Sequence, residues 1–164
     1  MGRIQGINFW NQCYRNTNLI FFNNRIKWLQ YQIIRGTLKT NRIVSKFADS
    51  VTSTCTFCEQ HTETIIHLFW ECTHVIAFLR NVSLKFQQND NKFFHHHSLK
   101  SFIFNNSNNF LSPITLAALY MKLYIWNSRC KKNVLNADNF NNFFMNEIRL
   151  LKMSFPEDKM ISAL

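Results

Sequence analysis

Cys55-Thr56-Phe57-Cys58, followed by His67 and Cys72, is the stretch that decides how this chain folds. Its pattern is C-x2-C-x8-H-x4-C, which places four good metal ligands within eighteen residues. Two cysteines three residues apart lie on one tight turn, so both sulfur atoms can face a single ion. Zinc in structural sites favours four tetrahedral nitrogen and sulfur ligands, with no position left for water. The spacing therefore predicts a structural zinc site. A disulfide is the alternative, but nothing in the sequence indicates secretion, so reduced thiols are expected.

Three histidines lie close enough to be considered as the fourth ligand. His61 follows Cys58 too closely to form a separate arm of the site. His67 and His74 would lie on one face of a continuous helix, but about 10 Å apart along its axis, so one ion cannot take both. We predict that His67 is the ligand and keep His74 as the alternative.

The chain around His67 is predicted to be helical but not regular. Thr62 has the character of an N-cap, with Glu63 in the first turn of a short helix. His67 and Cys72 are five residues apart, about 140° around an ideal helix, so the helix must end or bend between them. Cys72 is then expected to begin the next helix.

The segment from Glu63 to Cys72, read together with the Cys55–Cys58 turn, resembles a known family. It is similar to the zinc-binding region of reverse transcriptases from non-LTR (LINE-type) retrotransposons, near the C-terminus of their polyproteins. Looser similarity extends through these stretches: Lys27 to Arg35, Thr40-Asn41, Lys122 to Trp126, Arg129 to Lys131 and Phe140 to Leu151. The resemblance implies a module that helps to hold template RNA or target DNA, with the rest of a retrotransposon polyprotein as a further partner. Because the polymerase palm and the endonuclease are absent from the chain, we do not expect an enzyme.

The composition is that of a folded, helical protein. The chain has 164 residues, of which 46% are hydrophobic and seventeen are Phe, while Gly and Pro are scarce. This length fits one domain, and the scarcity of turn residues favours helices over a turn-rich β fold. The sequence contains no apolar run long enough to span a membrane and no signal peptide, so we predict an intracellular protein of the nucleus or cytoplasm.

The charge distribution indicates an acidic partner. The net charge is +10, and residues 1–48 and 91–137 carry fourteen Lys and Arg residues without a single Asp or Glu. Acidic residues gather near the proposed metal and at the end of the chain. Blocks of one sign attract polyphosphates, so nucleic acid is favoured over a merely solubilising surface.

The helix predicted to begin at about Asn24 carries the candidate nucleic-acid contacts. Ile26, Leu29 and Ile33 form its apolar stripe, and Gly36 weakens its end. Cations and an aromatic ring alternate on the other side, a combination that neutralises phosphates and stacks a base. The predicted contacts are Arg25, Lys27, Trp28, Arg35, Lys39 and Arg42. The alternative for Trp28 is a second contact with the core.

The remaining chain is predicted to be helices joined by polar loops. Asn16 to Asn24 is expected to be a loop, Cys72 to Phe86 a helix, and Leu99 to Phe104 a short strand or a helical turn. Ser112-Pro113 should start a helix whose buried side is Ile114, Ala117, Met121, Tyr124 and Ile125. Asp138 should cap a last helix that turns Phe140, Phe143, Phe144, Ile148 and Leu151 inward. We interpret His95, His96 and His97 as a solvated loop, and Cys13 and Cys130 as ordinary reduced cysteines.

The sequence thus predicts a mainly α protein, a helical domain built around a small CCHC zinc knuckle with ligands Cys55, Cys58, His67 and Cys72. Its expected parts are a basic helical segment at 1–50, the knuckle and following helix at 51–87, and a C-terminal helical segment at 88–164. The predicted function is zinc-stabilised binding of nucleic acid. The alternatives are a structural zinc module for protein–protein interaction and a retrotransposon remnant without function.

Overall fold

The computed structural model describes residues 2–86, 99–106, 112–157 and 161, and these residues fold mainly into helices. The helices are α1 (Gly2–Asn18), α2 (Asn24–Arg35), α3 (Asn41–Val44), a π-helix (His67–Glu71), α4 (Thr73–Phe86), α5 (Leu99–Phe104), α6 (Pro113–Lys131) and α7 (Ala137–Ser154). Extended pairing in the described residues is limited to one antiparallel bridge between Thr54 and Thr62. The predicted mainly α fold is therefore confirmed. Across the described ranges, no helix combines the length and the apolarity needed to cross a membrane.

Helix α2 forms as its sequence predicts. The Asn23 side chain accepts hydrogen bonds from the amides of Arg25 and Ile26, which caps the first turn. Gly36 ends the helix with φ of 66°, a left-handed conformation that glycine adopts without strain. The apolar stripe of α2 is buried, so its opposite side is free to face solvent.

Helix α1 extends through Asn18, into the first three residues of the segment for which we predicted a loop. The loop starts only after Asn18, because polar side chains in the last turn find partners inside the protein. Thr17 Oγ1 donates to the Cys13 carbonyl at 2.8 Å, and Asn16 Nδ2 donates to the Asn105 carbonyl at 2.6 Å. Asn and Thr favour turns when their side chains compete for the local backbone. Here Asn16 binds a distant carbonyl, and Thr17 bonds back to the preceding turn of its own helix.

Helix α6 is the central element of the fold. Ser112 caps it as predicted, accepting a hydrogen bond from the Thr115 amide at 3.2 Å. The prediction of one buried face was too narrow, since every residue from Thr115 to Leu123 is buried. The reason is that α6 packs against α2 and also against α7, so two sides of the helix are covered. A helix that is apolar on all sides belongs in a core.

Lys122 lies inside this core, although its sequence context suggested a surface cation. Its side chain is 1% exposed, and its ammonium donates to Gln30 Oε1 and to the Ile103 carbonyl. Burial lowers the pKa of Lys122 to about 7, because the charged form loses its water. Lys122 therefore links α6 to α2 and α5 and contributes nothing to the basic surface.

Because Lys122 is buried, we expect the free energy of unfolding to rise toward alkaline pH. The pKa of Lys122 is about 7 in the folded chain and about 10.4 when unfolded, so the unfolded chain binds more protons between these values. From pH 7 to pH 9 this group alone should raise the free energy of unfolding by about 2 kcal/mol. The measurement is chemical unfolding of wild type and of Lys122→Met across this range. Subtracting the free energy of unfolding of the variant from that of wild type removes the contribution of every other titrating group. If both free energies change with pH in parallel, the prediction is contradicted.

Helices α4 and α7 complete the core through an aromatic cluster. Phe78 of α4 stacks on Tyr124 of α6 with ring centroids 5.5 Å apart, and Phe140 of α7 meets both rings. Helix α7 is capped by Asn136, whose side chain accepts from the amides of residues 138 and 139, and not by Asp138 as predicted. Asp138 lies in the first turn instead, where its charge suits the helix dipole.

Two further segments were predicted less definitely, and the structure describes one of them. Leu99–Phe104 is α-helical and not a strand. The predicted loop with His95, His96 and His97 lies outside the described residues.

Candidate metal centre

The turn that carries the first two cysteines is held by a short antiparallel pairing. The Cys55 amide donates to the His61 carbonyl at 2.7 Å, and the Glu63 amide donates to the Ser53 carbonyl at 2.8 Å. Between these bonds the chain reverses, and Glu59 adopts a left-handed φ of 55° while its amide donates to the Cys55 carbonyl. The reversal brings Cys58 back over Cys55, as a Cys-x2-Cys pair requires for a shared ion.

The helix that carries His67 begins at a different residue from the one predicted. Thr64, and not Thr62, acts as its cap, because Thr64 Oγ1 accepts from the His67 amide at 2.9 Å. Thr62 forms the bridge with Thr54 instead. Glu63 consequently lies before the helix, and its carboxylate turns into the protein with 0% exposure.

The bend predicted between His67 and Cys72 is a single π-helical turn. The Cys72 amide donates to the His67 carbonyl at 2.9 Å, which is an i to i+5 bond. A π turn closes over one residue more than an α turn, so His67 and Cys72 come nearer to one face. Cys72 then leaves the helix with ψ of 128°, and its carbonyl accepts the amide of Ile76 in the first turn of α4. π turns are rare in proteins, and those that occur are often found at functional sites.

These elements bring the four predicted ligand atoms into one cluster. The sulfur atoms of Cys55, Cys58 and Cys72 and a ring nitrogen of His67 all lie within 4.8 Å of one another. The two buried sulfurs, of Cys55 and Cys72, are 3.9 Å apart, and Cys58 Sγ lies 3.4 Å from His67 Nε2. A tetrahedron with Zn–S bonds of about 2.3 Å has edges of about 3.8 Å, so the donor set and its size both fit zinc. All five cysteines are free, so the disulfide alternative is not realised.

The electrostatics of the cluster support thiolate ligands. The thiol of Cys55 and the backbone amides of Val75 and His74 at the start of α4 hold the pKa of Cys72 below its ordinary value. Hydrogen bonding to Cys72 and burial raise the pKa of Cys55. The lowered pKa favours the thiolate of Cys72, whereas Cys55 must lose its proton when an ion takes both sulfurs.

The other two histidines do not join the cluster. His74 is exposed near the start of α4, away from the four donors, so the alternative ligand is not favoured. His61 is also exposed, but its ring stacks on the His67 ring with centroids 5.4 Å apart. His61 thus covers the His67 ring and lies outside the cluster.

Behind the cluster lies an ionic network that sequence reasoning missed. Glu63 accepts from the amide and the hydroxyl of Thr56, at 2.9 and 2.8 Å, and from the amide of Asn41 at 2.8 Å. Arg129 of α6 donates to the same carboxylate through Nε at 3.0 Å and Nη2 at 2.8 Å. Thr56 lies inside the Cys55–Cys58 turn, so this network links the turn to the central helix.

Glu63 is held in its charged form by these partners. Burial by itself would raise the pKa of this carboxyl group, but the amides of Thr56 and Asn41 and the Arg129 guanidinium hold it below the usual range. The only sequence signal for this pairing was indirect. Arg129 stands in an acid-free block, whereas Glu63 is one of the few acids near the knuckle.

Five of the six predicted nucleic-acid contacts have exposed or half-exposed side chains without an acidic partner among the described residues. Trp28 is 62% exposed and stacks on Tyr31 with ring centroids 5.8 Å apart, so the alternative of a core contact is wrong. Arg35, Lys39 and Arg42 are exposed, and Lys27 is half-buried. Arg25 is the exception, because its guanidinium pairs with Glu147 of α7 at 3.3 Å.

A cleft beside α2 extends this basic surface. It has a volume of about 460 Å³ and lies between the end of α2, helix α3 and the residues just before the π-helix. Arg35, Arg42 and Lys46 line it together with Ile43 and Ile65. Lys46 was counted in the basic block of the sequence but was not singled out as a contact.

The described residues form a helical domain in which three cysteines and one histidine converge. This donor set is typical of small structural zinc-binding modules. Residues 3–78 match the family described as zinc-binding in reverse transcriptase. The match covers the segment from α1 into α4 and agrees with the resemblance to the zinc-binding region of reverse transcriptases. No curated protein and no solved structure matches the chain.

Proposed function

We propose that the chain is a zinc-stabilised nucleic-acid-binding module of the reverse-transcriptase type, without a polymerase or endonuclease site of its own. The metal would be structural. Cys55, Cys58, His67 and Cys72 would hold one Zn²⁺ and fill its four positions, which leaves none for substrate or water. Zinc supplies folding free energy in such sites, and the binding chemistry falls to the surrounding helices.

The observation that carries the proposal is a cluster of exposed cations without acidic partners. Arg35, Lys39, Arg42 and Lys46 are exposed, and no acidic side chain within the described residues pairs with them. The nearby acid Glu63 is buried and neutralised by Arg129. The surface beside the knuckle is therefore positive, and it attracts phosphates of template RNA or target DNA.

Salt dependence tests the proposal directly. Replacing Arg35, Arg42 and Lys46 together by Gln should reduce the slope of log affinity against log salt by about 2, because each phosphate contact to a single strand contributes about 0.7. The matched control replaces Arg80, Lys131 and Lys132 by Gln, which removes the same charge from exposed positions outside the cleft. Affinities are measured by fluorescence anisotropy with labelled RNA and DNA at several salt concentrations.

The control makes the outcome specific. The control variant should keep most of the wild-type slope, since its cations lie away from the cleft. Equal losses in both variants would mean that the charge acts diffusely and that the cleft is not the site. A wild-type protein that binds neither nucleic acid at low salt would overturn the proposal.

One observation favours protein–protein interaction as a second candidate function. Helix α7 exposes Met145, Leu150 and Met153 at 55%, 58% and 72% of their surface. Leu150 and Met153 are three residues apart and therefore adjacent on the helix surface, and adjacent exposed apolar side chains are typical of contact surfaces. The rest of a retrotransposon polyprotein would be the partner in that case. Binding that survives high salt would favour it over nucleic acid.

A further inference from the structure

We propose that the groove between α1 and α2 binds an unpaired base, so that the module prefers single strands over duplexes. The site is the stacked pair Trp28–Tyr31 together with the groove beside it. This inference rests on the proposed function, because it names the class of nucleic acid that the same surface accepts.

The aromatic pair has the geometry of a stacking platform. The Trp28 and Tyr31 rings are inclined by only 18°, and both residues are exposed, by 62% and 38%. Two exposed aromatic rings side by side form an apolar patch of the kind that marks binding sites. Bases stack on such rings whatever their sequence, because every base has a π-face.

The groove beside the pair is large enough for one base and is lined by both aromatic and polar side chains. It has a volume of about 600 Å³ and is open to solvent on one side. It is lined by Thr17, Asn18, Asn24, Lys27, Trp28 and Tyr31. Side-chain amides such as those of Asn18 and Asn24 both donate and accept hydrogen bonds, as the edge of a base requires.

The surrounding charges argue for nucleic acid and against an apolar peptide as the occupant. Lys27 lines the groove, and the Arg35 guanidinium lies 5.9 Å from the centre of the Tyr31 ring. Arg35 also lines the basic cleft, so the platform continues into the cleft formed with Arg42 and Lys46. A strand whose base stacks on Trp28 would therefore lay its following phosphates along these cations.

A duplex does not satisfy this arrangement. Its bases are paired and stacked on each other, and reaching the ring of Trp28 would require unstacking, which costs a few kcal/mol per base. A single strand offers its base faces freely. The geometry thus gives single strands an advantage that charge alone does not supply.

The test compares three labelled probes of equal length: a mixed-sequence single strand, its duplex, and a single strand with abasic sites that keeps every phosphate. Trp28→Ala should weaken binding of the single strand about 5- to 150-fold, as the loss of one stacked base does. Binding of the duplex and of the abasic strand should change less than twofold. Trp28→Phe should restore most of the single-strand affinity, because it keeps an aromatic face.

Controls separate stacking from folding and from charge. Leu84→Ala, at an equally exposed apolar position on α4, should leave all three affinities unchanged. Thermal unfolding of each variant establishes that the fold persists, as the exposure of Trp28 leads us to expect. If Trp28→Ala leaves single-strand affinity within twofold, or weakens all probes equally, this inference is overturned while salt-dependent binding stands. If wild type binds none of the probes, the proposed function itself fails.

Discussion

Replacing Cys58 by Ser should abolish stoichiometric zinc binding and unfold the knuckle. Cys58 supplies one of the four ligand atoms, and a site with three protein ligands admits water in the fourth position. In zinc-finger peptides the metal is worth about 10–16 kcal/mol of apparent folding free energy, so this is the largest effect that we expect from a single change. Removing zinc from the wild type with a strong chelator should act in the same way.

Loss of zinc should unfold the knuckle first and the rest of the helical core only afterwards. The knuckle adds Leu68 and Phe69 to the core, whereas α4, α6 and α7 are also held to each other by the aromatic cluster around Phe78, Tyr124 and Phe140. Hydrogen exchange should therefore show lost protection at residues 53–72 while the amides of α6 remain protected. The helix content measured by circular dichroism should fall only in part.

Cys130→Ser provides the matched control for the zinc experiment. Cys130 is exposed and lies outside the cluster, so its removal should change neither the metal content nor the unfolding profile. Metal content is measured by elemental analysis, and cobalt substitution reports thiolate ligands through its charge-transfer absorption. Cys58→Ser protein that still carries one zinc per chain would show that the ligand set is wrong.

The features that the sequence predicted well depend on neighbouring residues. Asn23 and Gly36 bound α2, Ser112 and Pro113 start α6, and each of these signals acts within one helical turn. The five-residue step from His67 to Cys72 likewise excluded a regular α-helix. The local pattern did not reveal which irregularity resolves it, because a π turn and a helix break satisfy the same spacing.

The features that were missed depend on residues far apart in the chain. The burial of Lys122 follows from Gln30 and Ile103, which are 92 and 19 residues away. α1 extends past Asn16 because Asn105 accepts its side chain across 89 residues. Local patterns carry no information about such partners, so Lys122 was counted with the basic residues of 91–137, and residues 16–18 were predicted to be a loop.

Arg129 is the most consequential of these long-range partners, because it joins the zinc-binding region to a helix beyond the family match. The match covers residues 3–78, whereas Arg129 lies near the end of α6. Its side chain is 14% exposed and pairs with a carboxylate that is fully buried. We infer that α6 is a structural support of the knuckle and not an independent tail.

Replacing Arg129 by Gln should therefore destabilise the protein by about 3–5 kcal/mol, because it leaves the charge of Glu63 buried without an ionic partner. Burial would then raise the pKa of Glu63, and the protein should recover part of the loss when Glu63 is protonated. In the wild type the pKa of Glu63 is lower in the folded than in the unfolded chain. The charged carboxylate therefore stabilises the fold fully above the unfolded pKa, and this stabilisation is lost as pH falls through the folded pKa. The difference between wild type and variant should accordingly shrink from pH 7 toward pH 5.

A second substitution decides whether the loss comes from the charge. Gln at position 63 carries no charge, and its one amide oxygen can accept from the amide of Thr56 or of Asn41 but not from both. One unpaired amide costs less than a buried carboxylate without an ionic partner. The double variant Glu63→Gln, Arg129→Gln should therefore unfold at a higher denaturant concentration than Arg129→Gln alone. Arg80→Gln, which removes an exposed arginine from α4, should cost less than about 0.5 kcal/mol. If Arg129→Gln costs no more than this control, the carboxylate is adequately held by the backbone amides, and α6 does not support the knuckle.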